Sequence, residues 1–172
     1  MPEKLLRFWA QDNAVVMGPI LLKPRSRGTI TLRSADPLTK PVIDPRYLTD
    51  ADGADRAALL EGLRITARIA QTPTMRRLLG DVVRPAGSTA LDEATLERAL
   101  ETVSHTLYHP VGTCRMGSDE ASVVDPQLRV RGVAGLRVAD ASIMPTIIRG
   151  HTHAPSVMIG EKASDLIRST RD

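Results

Sequence analysis

Two histidines lie one residue apart where an apolar stretch begins, His151 and His153 in the sequence RGHTHAPSVMIG. The chain has only four histidines, so their closeness raises the question of a shared role. On an extended segment both rings would point to one side, where they could bind a metal ion with His109 or Cys114 as further ligands. The same residues could also form a loop that has no chemical role.

A third interpretation depends on the helix predicted to follow. Pro155 is typical of the first helical position, and apolar residues recur at spacings of three and four through residue 167. The cap would fall near Ala154, which has no side-chain oxygen for the free N–H groups of the first turn. Such an end carries partial positive charge and suits an anionic ligand group. Flanking histidines would then face that ligand.

His109 lies in a second motif, TLYHPVGTCRMG. Pro110 favours an extended backbone at the histidine, and Gly112 and Gly117 permit tight turns or a close approach to a ligand. A histidine held on such a loop is suited to proton transfer near neutral pH. A buried histidine bonded to a carbonyl would leave the same pattern.

Asp140 ends a predicted strand in LRVADASIMP and is followed by small residues. Its carboxylate could accept a hydrogen bond from a ligand hydroxyl. It could equally bond the backbone of its own turn, as aspartates at turns often do.

Three helices are predicted from periodicity and capping residues. Residues 54–71 form one, residues 89–105 form another with its cap at Thr89 or Asp92, and the last follows Pro155. A short helix is predicted near residues 74–80.

Residues 14–24 and 28–36 read as antiparallel neighbouring strands, and the Pro- and Asp-rich residues 36–48 read as irregular. Short β-prone runs follow residue 104. The pattern predicts an α+β fold, a mainly antiparallel sheet with helices packed on one side.

Composition narrows the class of protein. The chain has 172 residues, enough for one domain, with 42% hydrophobic, 25% charged and 2% aromatic residues and a net charge of +3. So few aromatics and no long basic run argue against nucleic-acid binding. One cysteine excludes an intrachain disulfide and favours a reducing compartment, and no stretch is apolar enough to span a membrane. A cytoplasmic location is expected.

The C-terminal motifs together resemble the glucose-methanol-choline (GMC) oxidoreductases, flavoenzymes that oxidise alcohols. The matching stretches are Tyr108 to Gly117, Val123 to Pro145 and His151 to Ile167, and Leu21 to Leu48 is also similar to that family. The resemblance implies that residues 1–172 form the C-terminal substrate-binding domain plus the last flavin-facing elements.

The resemblance also implies roles for individual residues. His109 and His151 match the catalytic positions beside the reacting alcohol, and the second of these is asparagine in choline-dehydrogenase-like members. The positions near FAD are filled by Asp140, Ala141, His151, Thr152 and His153. Hydride would pass from the alcohol carbon to flavin N5 while a histidine takes the hydroxyl proton, and no metal is implied. Which histidine takes the proton is left open.

The G-x-G-x-x-G turn of the family's N-terminal Rossmann half does not occur in this sequence. The chain is therefore expected to be incomplete by itself, to hold FAD weakly and to need a separate FAD-binding half as partner. Two alternatives remain. One is a non-catalytic remnant that binds a partner through its flavin-facing surface, and the other is a small metallohydrolase that uses His109, His151 and His153.

Overall fold

The structure is a computed structural model that describes residues 14–169. The chain divides into two compact units. Of the described residues, the first unit holds 14–20 and 56–104, and the second holds 21–55 and 105–169. No helix within residues 14–169 is long and apolar enough to cross a membrane.

The first unit contains most of α1 (Ala54–Ala70), the short α2 (Pro73–Arg76) and α3 (Glu93–Thr102). The predicted helix over 54–71 is therefore confirmed, and Asp92 rather than Thr89 caps α3 by accepting a hydrogen bond of 2.9 Å from the Thr95 N–H. The core positions of α1 and α3 are Leu60, Ala67, Leu96 and Leu100. Ion pairs from Arg56 to Glu97 and from Arg64 to Glu93 join the two helices.

Residues 14–24 form no strand, which makes that prediction wrong. Pro19 instead lies against α1, where a Cβ added to Gly62 would be only 2.4 Å from the Pro19 Cβ. The missing side chain of Gly62 lets the segment approach the helix closely. The segment is mostly exposed, and Val15, Val16 and Ile20 are each more than half exposed, so the apolar run predicted neither a strand nor burial correctly.

The second unit contains the antiparallel pair β1 (Thr29–Thr31) and β2 (Val42–Asp44), in which Ile30 lies opposite Ile43. β1 lies within the strand predicted over 28–36, but the predicted antiparallel pairing with 14–24 is wrong: the partner comes from the stretch predicted to be irregular, and the sheet has two strands. All six strand residues are exposed. The β-prone runs beyond residue 104 form isolated bridges, such as Val124 with Val130.

The core of the second unit brings the C-terminal motifs together. A 3₁₀ helix (Ala141–Ile143) contacts α4 (His153–Arg168). The buried cluster combines residues from three stretches of sequence: Val124, Leu128, Ile143, Met144, Ile159 and Ala163. This packing fixes the loops that carry His109 and His151 in one unit.

Asp55, in the first turn of α1, hydrogen-bonds residues 25 and 26 and so connects them to the start of the helix. Its carboxylate is 2% exposed and accepts hydrogen bonds of 2.8 Å from each of the backbone N–H groups of Arg25 and Ser26 and one of 2.6 Å from the Ser26 hydroxyl. Burial alone would raise the pKa of Asp55, but the hydrogen bonds from Arg25 and Ser26 outweigh it and hold the pKa below its ordinary value.

Asp55→Asn is expected to lower the free energy of unfolding by about 1–3 kcal/mol at neutral pH, because the amide turns an N–H group towards these donors. Since the folded-state pKa is depressed, the wild-type advantage is complete above the unfolded pKa, about 3.9, and disappears as the pH falls through the folded value. Urea unfolding of both proteins between pH 7 and pH 3 (about half-unit steps) measures the difference.

Asp52→Asn is the matched control, since Asp52 is exposed and pairs with the exposed Arg25 side chain. An advantage of wild type over Asp55→Asn that stayed constant down to pH 3 (about one unit below the ordinary value) would contradict the assigned role.

Candidate active site

The loop that carries His109 is fixed along the 3₁₀ helix by backbone hydrogen bonds. The N–H of Cys114 donates to the carbonyl of Ser142 at 3.0 Å, and that of Met116 donates to Ile143 at 2.8 Å. Gly112 has φ +87° and lies where a Cβ would be 3.4 Å from the Met144 carbonyl oxygen, so a glycine suits both the dihedral angle and the space. The loop geometry is therefore set by contacts with residues 142–144, further along the chain.

The backbone also takes an unusual conformation immediately before the histidine. Tyr108 has φ +63°, in the left-handed region that few non-glycine residues adopt. Such conformations persist where the surrounding structure determines them, and they are enriched at functional sites. His109 follows this residue directly and is half-buried.

The second segment places His151 and Thr152 at the start of α4. Thr152, not Ala154, is the N-cap residue, and Pro155 is the third helical residue instead of the first. The side chain of Thr152 makes no capping hydrogen bond. The expectation of a helix end without a side-chain cap is met, although the boundary lies two residues earlier than predicted.

The two histidines meet directly. Nε2 of His109 lies 2.7 Å from Nδ1 of His151, and the ring centroids are 4.9 Å apart with the ring planes at 70°. The other nitrogen of His109, Nδ1, lies 2.9 Å from the Thr152 hydroxyl. His151 is exposed, so the pair opens to the surface of the unit. Within this 2.7 Å contact there is no room for a third atom, so the pair can hold an oxygen and accept its proton only after the two rings separate.

The other predicted residues lie on the 3₁₀ helix, at its cap, and at the start of α4. The Asp140 Oδ1 accepts a 2.7 Å hydrogen bond from the Ser142 N–H and caps the 3₁₀ helix, so the turn interpretation of this aspartate is the one observed. Ala141 begins that 3₁₀ helix and is half-buried. His153 begins α4 and is exposed.

Within residues 14–169, no three His, Cys, Asp or Glu side chains lie close enough together to hold a metal ion. His109 and His151 point their facing nitrogens at one another instead. The structure thus offers the metallohydrolase hypothesis no ligand set in the described part of the chain.

The contact between Thr152 and His109 was not predicted. The family resemblance implied that Thr152 lies beside the flavin ring. In the structure its hydroxyl faces His109, 43 positions earlier in the chain. The sequence offered only a weak indication of this contact. A threonine at a cap position that does not bond its own helix has a hydroxyl free for another partner.

Comparison with known proteins identifies the family. A profile of the GMC oxidoreductases matches residues 24–160, and the chain belongs to this family, whose C-terminal domain it covers. Members of the family are flavoproteins.

Individual related proteins and solved structures are also similar to this chain. The chain is 74% identical over 157 residues to a GMC-type oxidoreductase of Mycobacterium tuberculosis, covering 91% of this chain and 30% of that protein. It is 44% identical over 162 residues to choline oxidase of Arthrobacter globiformis, covering 93% and 30%. A formate oxidase structure from Aspergillus oryzae superposes with a TM-score of 0.76 at 31% identity, covering 87% of this chain and 26% of that one. The chain spans about a third or less of these relatives.

Proposed function

We propose that this chain forms the alcohol-facing part of an FAD-dependent oxidoreductase that acts on CH–OH groups, of the choline and alcohol dehydrogenase type. The observation that carries the proposal is the 2.7 Å contact between His109 and His151 beside the first residue of α4. Both residues come from motifs separated by about 40 positions, and the core of the second unit holds them together.

The two imidazoles are proposed to have different roles towards the alcohol oxygen. His109 sits on a loop fixed by backbone hydrogen bonds and presents Nε2 as the proton acceptor. His151, on the exposed side, orients the oxygen through Nδ1. General base assistance of this kind typically contributes about 100- to 10,000-fold to a rate.

The start of α4 fits the flavin. In any α-helix the first N–H groups have no acceptor within the helix, and here Pro155 has no N–H and the Thr152 side chain makes no cap. The N–H groups of His153 and Ala154 are therefore suited to an electron-rich ligand edge, which the positive helix end favours. When bound, the flavin supplies the acceptor for the hydride. Thr152, Asp140 and Ala141 are the other residues proposed to lie near it.

A separate or upstream FAD-binding half is proposed as the partner, because the chain lacks the glycine-rich nucleotide-binding turn. The decisive experiment combines the purified chain with FAD, choline and the remaining N-terminal part of the M. tuberculosis relative. Choline-dependent dye reduction is expected in the complete mixture and not when the chain or the N-terminal part is left out.

The chain alone, gel-filtered after incubation with FAD, is expected to retain little flavin. Stoichiometric yellow flavin on the isolated chain would overturn the claim of incompleteness. If the two parts formed a stable flavin-containing complex that reduced no dye with choline or any simple alcohol, a non-catalytic role would replace the enzymatic one.

A further inference from the structure

We propose that Thr152 is a positioning residue for His109: its hydroxyl accepts a hydrogen bond from Nδ1–H of His109 and so leaves Nε2 as the bare, proton-accepting nitrogen. The inference rests on the proposed function, since it concerns which nitrogen meets the alcohol. In this role Thr152 acts on the His109 side chain of the same chain.

The geometry of Thr152 suits a fixed partner. The residue is 7% exposed, and its carbonyl oxygen accepts hydrogen bonds from both the N–H and the hydroxyl of Ser156, at 3.0 Å and 2.7 Å. The backbone of Thr152 is thereby tied into the first turn of α4. Its hydroxyl makes no capping bond and instead lies 2.9 Å from Nδ1 of His109.

The protons of the two rings are coupled by their contact. A neutral imidazole has one N–H and one bare nitrogen, and only one proton fits between Nε2 of His109 and Nδ1 of His151 at 2.7 Å. When Nδ1 of His109 donates to Thr152, Nε2 of His109 must accept from Nδ1–H of His151. Both rings are then Nδ1–H tautomers, His109 is the base, and His151 is the donor that orients the oxygen.

The opposite assignment would reverse the roles. If the Thr152 hydroxyl donated to Nδ1, the proton of His109 would sit on Nε2 and the bare nitrogen would be Nδ1 of His151. The partner at one ring nitrogen therefore decides the chemistry of the other, as in many catalytic and metal-bound histidines. A threonine hydroxyl can accept or donate, so the direction of this bond decides the tautomer. The buried, backbone-anchored Thr152 holds its oxygen at Nδ1 of His109.

Nitrogen-15 NMR of the ring nitrogens in the intact chain tests the assignment, at about pH 8.5, two units above the usual histidine pKa. His105 is an internal standard, because its Nδ1 lies 2.8 Å from the Thr106 carbonyl oxygen, which can only accept. We expect His109 and His151 to show the Nδ1–H pattern of His105. A dominant Nε2–H form of His109 would overturn the proposal.

Variants separate positioning from mere stability. Thr152→Ser keeps the hydroxyl and should preserve the Nδ1–H pattern, whereas the isosteric Thr152→Val should convert His109 to a mixture of tautomers. Thr102→Val is the matched control, since the Thr102 hydroxyl donates to the Arg98 carbonyl on the exposed face of α3. An unchanged His109 pattern in Thr152→Val would contradict the role.

If Thr152→Val does not fold, as judged by circular dichroism, the wild-type and Thr152→Ser spectra still decide between the two tautomers. The measurement uses neither flavin nor alcohol. If choline-dependent dye reduction failed, the proposed function would be contradicted and the tautomer result would remain valid. If the tautomer result failed, the proposed function would remain valid.

Discussion

With choline as the test substrate, His109→Ala is expected to lower the turnover of the proposed reconstituted flavoenzyme by at least about 100-fold, the usual contribution of a positioned general base. The ring of His109 is the only one of the pair that is half-buried and held at both nitrogens, by His151 and Thr152. Alanine removes the proton acceptor and leaves the flavin-facing residues in place. Steady-state kcat/KM together with the flavin content of the complex measures both effects.

Two further variants sharpen this prediction. His151→Asn is expected to lose less activity, because an amide N–H can still orient the oxygen at that position. His105→Ala is the matched control, an exposed histidine outside the pair, and should retain turnover. Activity of His109→Ala within about tenfold of wild type, or equal losses from His109→Ala and His151→Asn, would count against the ranking of the two histidines.

Ile143→Ala is expected to lower the free energy of unfolding by about 2–5 kcal/mol, the range for removing a buried branched side chain from a core. Ile143 is 4% exposed, and its carbonyl receives the Met116 N–H of the loop that carries His109. The cavity would therefore loosen the connection between this loop and α4. Urea unfolding followed by circular dichroism measures the loss.

Ile148→Ala removes the same atoms from a side chain that is 38% exposed, and it should cost well under half as much. Equal losses from the two substitutions would show that the cluster around Ile143 does not form the core of its unit.

The helices were predictable because their signals are local. The boundaries of α1 follow from a periodic apolar face and from Asp50, whose Oδ2 accepts the Ala54 N–H at 2.6 Å. The same holds for α3 and its Asp92 cap. At α4, Pro155 indicated the helix start, but proline is tolerated throughout the first turn and could not fix the boundary to one residue.

The strand pairing could not be predicted in the same way. The strand over 28–36 was recognisable because Ile30 and Leu32 alternate with polar residues. Val42–Asp44 is three residues long and exposed, so it carries no such pattern. The Val42–Asp44 strand lies within a Pro- and Asp-rich stretch, where local preference favours turns, and its pairing with Thr29–Thr31 arises from non-local contact.

For the candidate site, residue types and the family resemblance named His109 and His151, and the structure places them in contact. No pattern in the sequence could have assigned which nitrogen faces which. That depends on the backbone at Tyr108 and at Thr152, the N-cap residue between His151 and α4. The partner of the Thr152 hydroxyl is a tertiary contact of the same kind.

Because the rings of His109 and His151 already bond one another, the alcohol of the proposed function would have to displace that internal contact before its oxygen could reach both nitrogens. The bond given up is worth about 0.5–1.5 kcal/mol, which weakens apparent affinity by roughly two- to tenfold. The pair thus competes with its own ligand. Until such an oxygen arrives, the bare Nε2 of His109 stays hydrogen-bonded and is less available to other electrophiles.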